Sequence, residues 1–310
     1  MLERIFGKVE RESRNTVDKV FDQETALAHK LRAAKQRPED FLMARTAEDL
    51  ADRLSTVERR FPRAATLFCL TRHADDALRG SGKVDEVVRV EAAGELLGAA
   101  AGSIAGSEVL PFEPASLDLA VSLLSLHEAN DIPGLLAQAR RALKPDGLFL
   151  AALAGAGTLA ELRESLLHAE TELTGGATPR IAPFIDVRDA GGLLQRAGFA
   201  LPVADLETFT VRYDHMFALI ADLRAMGATN ALAARSRKPP SRQLFRRAAE
   251  IYAERFSDPD GRIRATFAIV WLSGWAPHAS QQKPLRPGSA KASLAQALRA
   301  ATHEDEENSS

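Results

Sequence analysis

Across residues 12–60, apolar side chains recur every three or four positions between charged ones. Val17, Val20, Phe21, Leu27 and Leu31 share one stripe; Leu50, Leu54 and Val57 form another. The spacing predicts two helices separated at Pro38, because an interior proline removes a helical hydrogen bond. From residue 64 the period changes. Residues 64–70, 84–90, 104–110, 117–124 and 148–153 form short, nearly continuous apolar runs. Runs of this kind suit strands buried on both faces, hence a parallel sheet covered by helices. Between the last two, Asp131 reads as a helix N-cap with Pro133 in the first turn, and Leu135, Leu136, Ala139 and Leu143 as the buried stripe. Lys144-Pro145-Asp146-Gly147 reads as the turn into the next strand.

The second half predicts helices at 159–171 and 187–196 and strands at 199–211 and 263–272. Helices at 215–226 and 242–256 fall between those strands, an insertion far longer than a median loop. The expected architecture is α/β, a doubly wound Rossmann-like sheet of seven strands with the last pair antiparallel. The expected division is a helical extension over 1–60, a sheet domain over 61–278 with the insertion at about 214–258, and a polar tail over 279–310. The tail's acidic end, 303–308, is expected to be solvated and disordered.

Composition narrows the function classes. The 310 residues carry 40 basic and 42 acidic side chains, so no global charge draws the chain to nucleic acid or an anionic membrane. The 45% share of hydrophobic residues fits a globular protein rather than a disordered one. The single cysteine, Cys69, excludes an internal disulfide and a thiolate zinc site. The most apolar stretch, 147–160, falls short of the roughly 20 residues a bilayer requires. The first dozen residues mix acids and bases, without a signal-peptide core and too acidic for a typical transit peptide. A soluble, cytoplasmic protein is expected.

Several segments carry a resemblance. Leu110-Pro111-Phe112, Leu117-Asp118-Leu119-Ala120-Val121-Ser122, Ser125-Leu126-His127-Glu128-Ala129-Asn130-Asp131 and Leu143-Lys144-Pro145-Asp146-Gly147 resemble class I S-adenosylmethionine (SAM) methyltransferases. Narrower pieces are Leu194-Gln195-Arg196-Ala197-Gly198-Phe199, Met226-Gly227-Ala228-Thr229-Asn230 and Gly274-Trp275-Ala276-Pro277-His278-Ala279-Ser280-Gln281. With them the chain is similar, over roughly residues 20 to 295, to the methyltransferase-like assembly factors of respiratory complex I. The resemblance implies a protein client, a complex I subunit, and modification of it; mitochondrial members are described as hydroxylating an arginine.

The same resemblance fixes where SAM would bind. The family pattern is acidic–hydrophobic–Gly–x–Gly–x–Gly after the first strand, where bare backbone approaches the ligand. Here Thr66 stands at the acidic position, and Phe68, Leu70 and Arg72 stand at the three glycines. Glu91 fits the carboxylate that meets the ribose hydroxyls, and Gly106 falls where an aspartate meets adenine. Each lost charged hydrogen-bond partner costs about 1.5–3 kcal/mol, and each 1.4 kcal/mol is about tenfold in affinity. The sequence therefore predicts a methyltransferase fold with weak or absent SAM binding. Either a SAM-dependent protein methyltransferase or a non-catalytic assembly chaperone follows from it, and a small-molecule methyltransferase is a third reading.

His127 is the candidate acid–base residue, at the edge where ligands sit in open α/β sheets; the competing reading is a turn-shaping hydrogen bond. His73-Ala74-Asp75 matches the start of an iron facial triad but lacks a third ligand, so no metal is expected. Cys69 reads as a buried small hydrophobe. Gly155-Ala156-Gly157-Thr158 reads as a ligand border or a plain turn. Residues 226–230 and 278–281 read as partner or substrate surface. Arg235, Arg237, Lys238, Arg242, Arg246 and Arg247 read as a solvated face or a docking patch for an acidic protein.

Overall fold

Parallel pairing organises the first half of the chain. Strand β1 (Phe61–Leu67) lies between β2 (Val84–Glu91) and β4 (Leu117–Leu123), and β2 carries β3 (Gly102–Ile104) on its outer side. Strand β5 (Leu143–Ala154) runs parallel to β4. Strand β7 (Ile263–Trp275) inserts antiparallel between β5 and β6 (Ala200–Tyr213), giving the order β3-β2-β1-β4-β5-β7-β6. The computed structural model describes residues 19–36, 39–98 and 100–281, so the stripe position Val17 and the acidic run at 303–308 lie outside the described residues. The described residues up to Pro277 belong to one compact unit, and His278–Gln281 fall outside it in a second.

The helices are α1 (Gln23–Lys35), α2 (Phe41–Ser55), α3 (His73–Gly80), α4 (Gly94–Leu97), α5 (Ile132–Ala142), α6 (Ala160–Thr174), α7 (Val187–Arg196), α8 (Met216–Ala225) and α9 (Arg242–Phe256). Both sheet faces are covered. Leu136, Phe149, Leu194 and Phe199 close one face; Leu50, Leu54, Phe61, Leu78 and Trp271 close the other. A third cluster joins α6, α8, α9 and the start of β7 through Leu166, Leu219, Ile251, Tyr252 and Phe267. The continuous apolar runs of β4 and β5 follow from this double coverage.

Two expectations are corrected. The predicted strand 104–110 is only the three residues Gly102–Ile104, and the chain beyond Ile104 is loop. Ala105 still bonds to Glu91, but Val109 N–H then turns back to Gly106 O at 2.9 Å, and the Gln138 side chain takes Leu110 N–H at 2.9 Å. At an edge, those bonds replace a ladder. The predicted turn 144–147 exists, but within β5 rather than before it. Pairing with β4 shifts between Leu117↔Leu143 and Leu119↔Leu148, and Asp146 takes φ 64°. The segment is a bulge that re-enters the sheet.

Helix α1 crosses the carboxyl edge of the sheet. Asp22 caps it by accepting Thr25 N–H at 3.1 Å, and Arg235 reaches the same carboxylate at 2.8 Å. Phe21 N–H bonds the Asn130 side chain at 2.8 Å, and Phe21 bridges to Leu232. These polar ties fasten the helix entry to the loops around β4 and the insertion.

Candidate functional site

At the carboxyl ends of β1 and β4 lies a cavity of about 540 Å³. Its floor is the turn after β1, with Phe68, Leu70 and Arg72; its wall is Leu124, His127 and Glu128 after β4. Helix α1 closes it with Lys30, Ala33 and Ala34, and the end of α8 with Met226, Gly227 and Ala228. The site is therefore built by an open-sheet edge together with two elements distant in sequence.

The turn after β1 keeps the shape glycines would give it. Phe68 has φ 56° and Leu70 φ 57°, both in the left-handed region that favours glycine. Two ordinary side chains thus occupy two glycine positions in the glycine conformation. Phe68 packs against the core beneath the sheet, which helps hold the strain. Thr66 donates to Asp75 at 2.6 Å in a buried bond, so this hydroxyl ties β1 to α3. Arg72 sits at the N-cap of α3 without a capping bond.

Glu91 does end β2, as the sequence indicates, but its carboxylate is engaged. Arg89 donates to Glu91 Oε1 from Nη2 at 2.9 Å and from Nε at 3.1 Å, and both side chains are buried. Residues two apart share one face of a strand, which brings them together. Burial pushes the Glu91 carboxyl above its usual range, with Arg89 and the Leu70 backbone N–H pulling the other way. The space beside it, between Phe68, Leu70 and Ser125, measures about 30 Å³, room for on the order of one or two waters. Sequence reasoning misses Arg89; its signal is a lone cation two positions before Glu91, between the valines of Val87-Val88-Arg89-Val90-Glu91. Gly106, exposed after β3, is not among the residues lining the cavity.

His127 lies in a short 3₁₀ turn (Leu126–Glu128), its ring 5.9 Å from that of Phe184. Its Nδ1 accepts Ala154 N–H at 3.4 Å, which leaves the ring proton on Nε2. Burial lowers its basicity, so the ring is held toward the neutral form on the cavity wall. The neighbouring Glu128 meets Lys30 Nζ at 2.7 Å. Burial works to raise the Glu128 carboxyl, but Lys30 and His127 outweigh it and hold it below the usual range.

The remaining candidates separate. His73 bonds Asp40 at 2.8 Å while Asp75 faces Thr66, so the two do not converge on one point. Among the described residues, no group of three His, Cys, Asp or Glu side chains is placed to hold a metal ion. Cys69 is buried, its Sγ accepting Leu123 N–H at 3.3 Å, and burial pushes the thiol up to about 12. Thr158 donates to Ala268 O at 2.9 Å, and its residue also borders the cavity. Thr229 O meets His29 Nδ1 at 3.1 Å, joining the 226–230 loop to α1. Gly227 has φ +78°, and a Cβ there would come 3.1 Å from Lys30 Cα. His278 and Ser280 bond one another at 2.7 Å within the second unit. The basic cluster divides: Arg235 pairs with Asp22 and Arg247 with Glu172, Glu250 and Glu254, while Arg237, Lys238, Arg242 and Arg246 are exposed. Only part of it faces solvent as free charge.

Sheet order, the antiparallel β7 and the cavity at the carboxyl edge define a Rossmann-like methyltransferase fold. The family described as "Methyltransferase domain" matches residues 78–151. The YcgJ protein of Bacillus subtilis superposes with a TM-score of 0.51 at 17% identity, covering 75% of this chain and 99% of that one, a likeness of fold alone. "Arginine-hydroxylase NDUFAF5, mitochondrial" of Homo sapiens is 37% identical over 296 residues, 89% of this chain and 82% of that protein. The protein of the same name from Dictyostelium discoideum is 48% identical over 180 residues, but these span 41% of its length. The chain belongs to the NDUFAF5 family. Among the described residues, no helix is long and apolar enough to cross a membrane.

Proposed function

We propose that this protein is a methyltransferase-fold assembly factor that engages a protein client, a subunit of a respiratory complex, and does not hold SAM in the customary cradle. The observation that carries the reading is the engaged Glu91. Its carboxylate, the expected ribose acceptor, receives two hydrogen bonds from Arg89 and is buried. Phe68 and Leu70 stand in the turn where bare backbone would meet the nucleoside, and only about 30 Å³ lies open beside Glu91. Freeing a buried carboxylate from its arginine for a ligand would leave the guanidinium unpaired, a cost of several kcal/mol. The client class comes from the sequence resemblance; the relatives' printed name, arginine-hydroxylase, fits a protein substrate.

A second reading keeps SAM-dependent methylation of a protein substrate. The 540 Å³ cavity beside the same turn favours it, since a donor could lie there in a different pose. Isothermal titration of the full chain with SAM and with S-adenosylhomocysteine decides between the two. The expected result is no saturable heat; a micromolar dissociation constant would overturn the first reading. Affinity capture that enriches no respiratory-complex subunit would count against the client in both.

A further inference from the structure

Helix α9 carries more apolar surface than its packing uses. Leu244, Ala248, Ile251 and Tyr252 bury into the cluster shared with α6 and α8. Phe245, Ala249 and Ala253 follow at four-residue steps; Phe245 and Ala249 are half-buried at the edge of that cluster, and Ala253 is exposed. Phe217, the second residue of α8, stands beside it with 50% of its surface exposed. Together with Arg242, Arg246 and Glu250 they border a groove of about 530 Å³ with two aromatic walls and an alanine floor. The one acid on this lining, Glu250, is also held from the side by Arg247 at 3.3 Å. Small residues at four-residue steps allow another helix to approach closely.

The banks of the groove are charged. Arg242 and Arg246 stand one turn apart along it. Among the described residues Arg242 has no ion-pair partner, and Arg246, 76% exposed, reaches only Glu250 at 3.8 Å. The next residue, Arg247, is by contrast tied to Glu172 at 2.7 Å. Of the basic run, Arg235 and Arg247 are held in close ion pairs, Arg237 and Lys238 are exposed on the preceding loop, and Arg242 and Arg246 face this groove.

We infer that the α8–α9 groove is a docking site for an amphipathic helix of a partner protein. That helix presents an apolar stripe to Phe217, Phe245 and Ala249, and carboxylates one turn apart to Arg242 and Arg246. Apolar burial supplies affinity and the arginine pair supplies register and orientation. The site lies on the helical insertion, not on the cavity, so it stands whether or not SAM binds.

The test uses the full chain and a fluorescent peptide of about 18 residues, long enough to form a helix. The peptide carries leucines at three- and four-residue spacing and glutamates one turn apart on a flank; a control replaces the glutamates by lysines. By fluorescence anisotropy the acidic peptide binds saturably and the lysine peptide does not. Phe217→Ser and the double variant Arg242→Glu/Arg246→Glu each weaken binding roughly tenfold or more. The double variant now accepts the lysine peptide, a gain that misfolding cannot produce. Failure of the acidic peptide to bind, or equal binding of both peptides, overturns the inference. So does a concentration-dependent dimer abolished by Phe217→Ser, or Phe217-dependent binding to phosphatidylglycerol vesicles, since the occupant would then be a second copy or a lipid surface.

Discussion

Arg89 gives two hydrogen bonds to a single oxygen of Glu91, 2.9 and 3.1 Å long, with both side chains buried at the end of β2. Removing one member strands the other without solvent. Arg89→Met is expected to destabilise the protein by about 3–5 kcal/mol. The double variant Arg89→Met/Glu91→Leu should recover most of that loss, because no charge is left buried. Urea denaturation of wild type and the variants measures both quantities. Additive single-variant costs would show the pair is uncoupled.

Phe68 and Leu70 hold left-handed backbone at φ 56° and 57°. Glycine relieves strain of about 1–3 kcal/mol at such a position but loses about 1.5–3 kcal/mol of apolar burial for a large side chain. The double variant Phe68→Gly/Leu70→Gly should therefore be folded and slightly less stable. It should also open the turn. SAM titration of this variant is expected to give measurable binding where the wild type gives none; an unchanged blank titration would place the obstacle elsewhere.

The same turn separates the legible from the hidden. Strands buried on both faces write themselves as nearly continuous apolar runs, so β4 and the second half of β5 are legible within a few residues. An edge strand such as β3 has no such run, because one side makes no ladder. The departure at positions 68 and 70 is also visible as side chains where glycines are expected. The cavity is not, since its walls come from α1, the turn after β4 and the end of α8. His29 and Thr229, 200 positions apart, bond one another and join two of those walls, and no local pattern encodes that contact.

Burial holds the His127 imidazole below its ordinary value of 6.5, and His29 is lowered for the same first reason. The unfolded chain takes up protons near 6.5 that the folded protein refuses. The stability these groups contribute is thus fully present above 6.5 and is lost as pH falls through the depressed folded values. Denaturation midpoints should fall as pH is lowered from 6.5, and His127→Gln should make that fall shallower. An identical slope in the variant would mean His127 titrates normally. Glu128, held low by Lys30 against its burial, acts in a separate window below its ordinary 4.5.

Gly227 combines φ +78° with an approach to the α1 backbone, where a Cβ would meet Lys30 Cα at 3.1 Å. Gly227→Ala is expected to cost about 1–3 kcal/mol through backbone strain alone. It should also push α1 away from the 226–230 loop. Hydrogen exchange of the α1 amides should accelerate in the variant; equal protection would show that the helix is held by its Asp22 and Phe21 ties only.

Cys69 is the one sulfhydryl the chain owns, and it is sealed inside with its proton held to about pH 12. Alkylating reagents have neither a path to it nor a nucleophile to trap. The native protein is accordingly chemically silent toward maleimides and iodoacetamide while it stays folded. A spectroscopic tag installed at any chosen surface point will report from that point alone, and any labelling of the untagged protein becomes a direct clock for its unfolding.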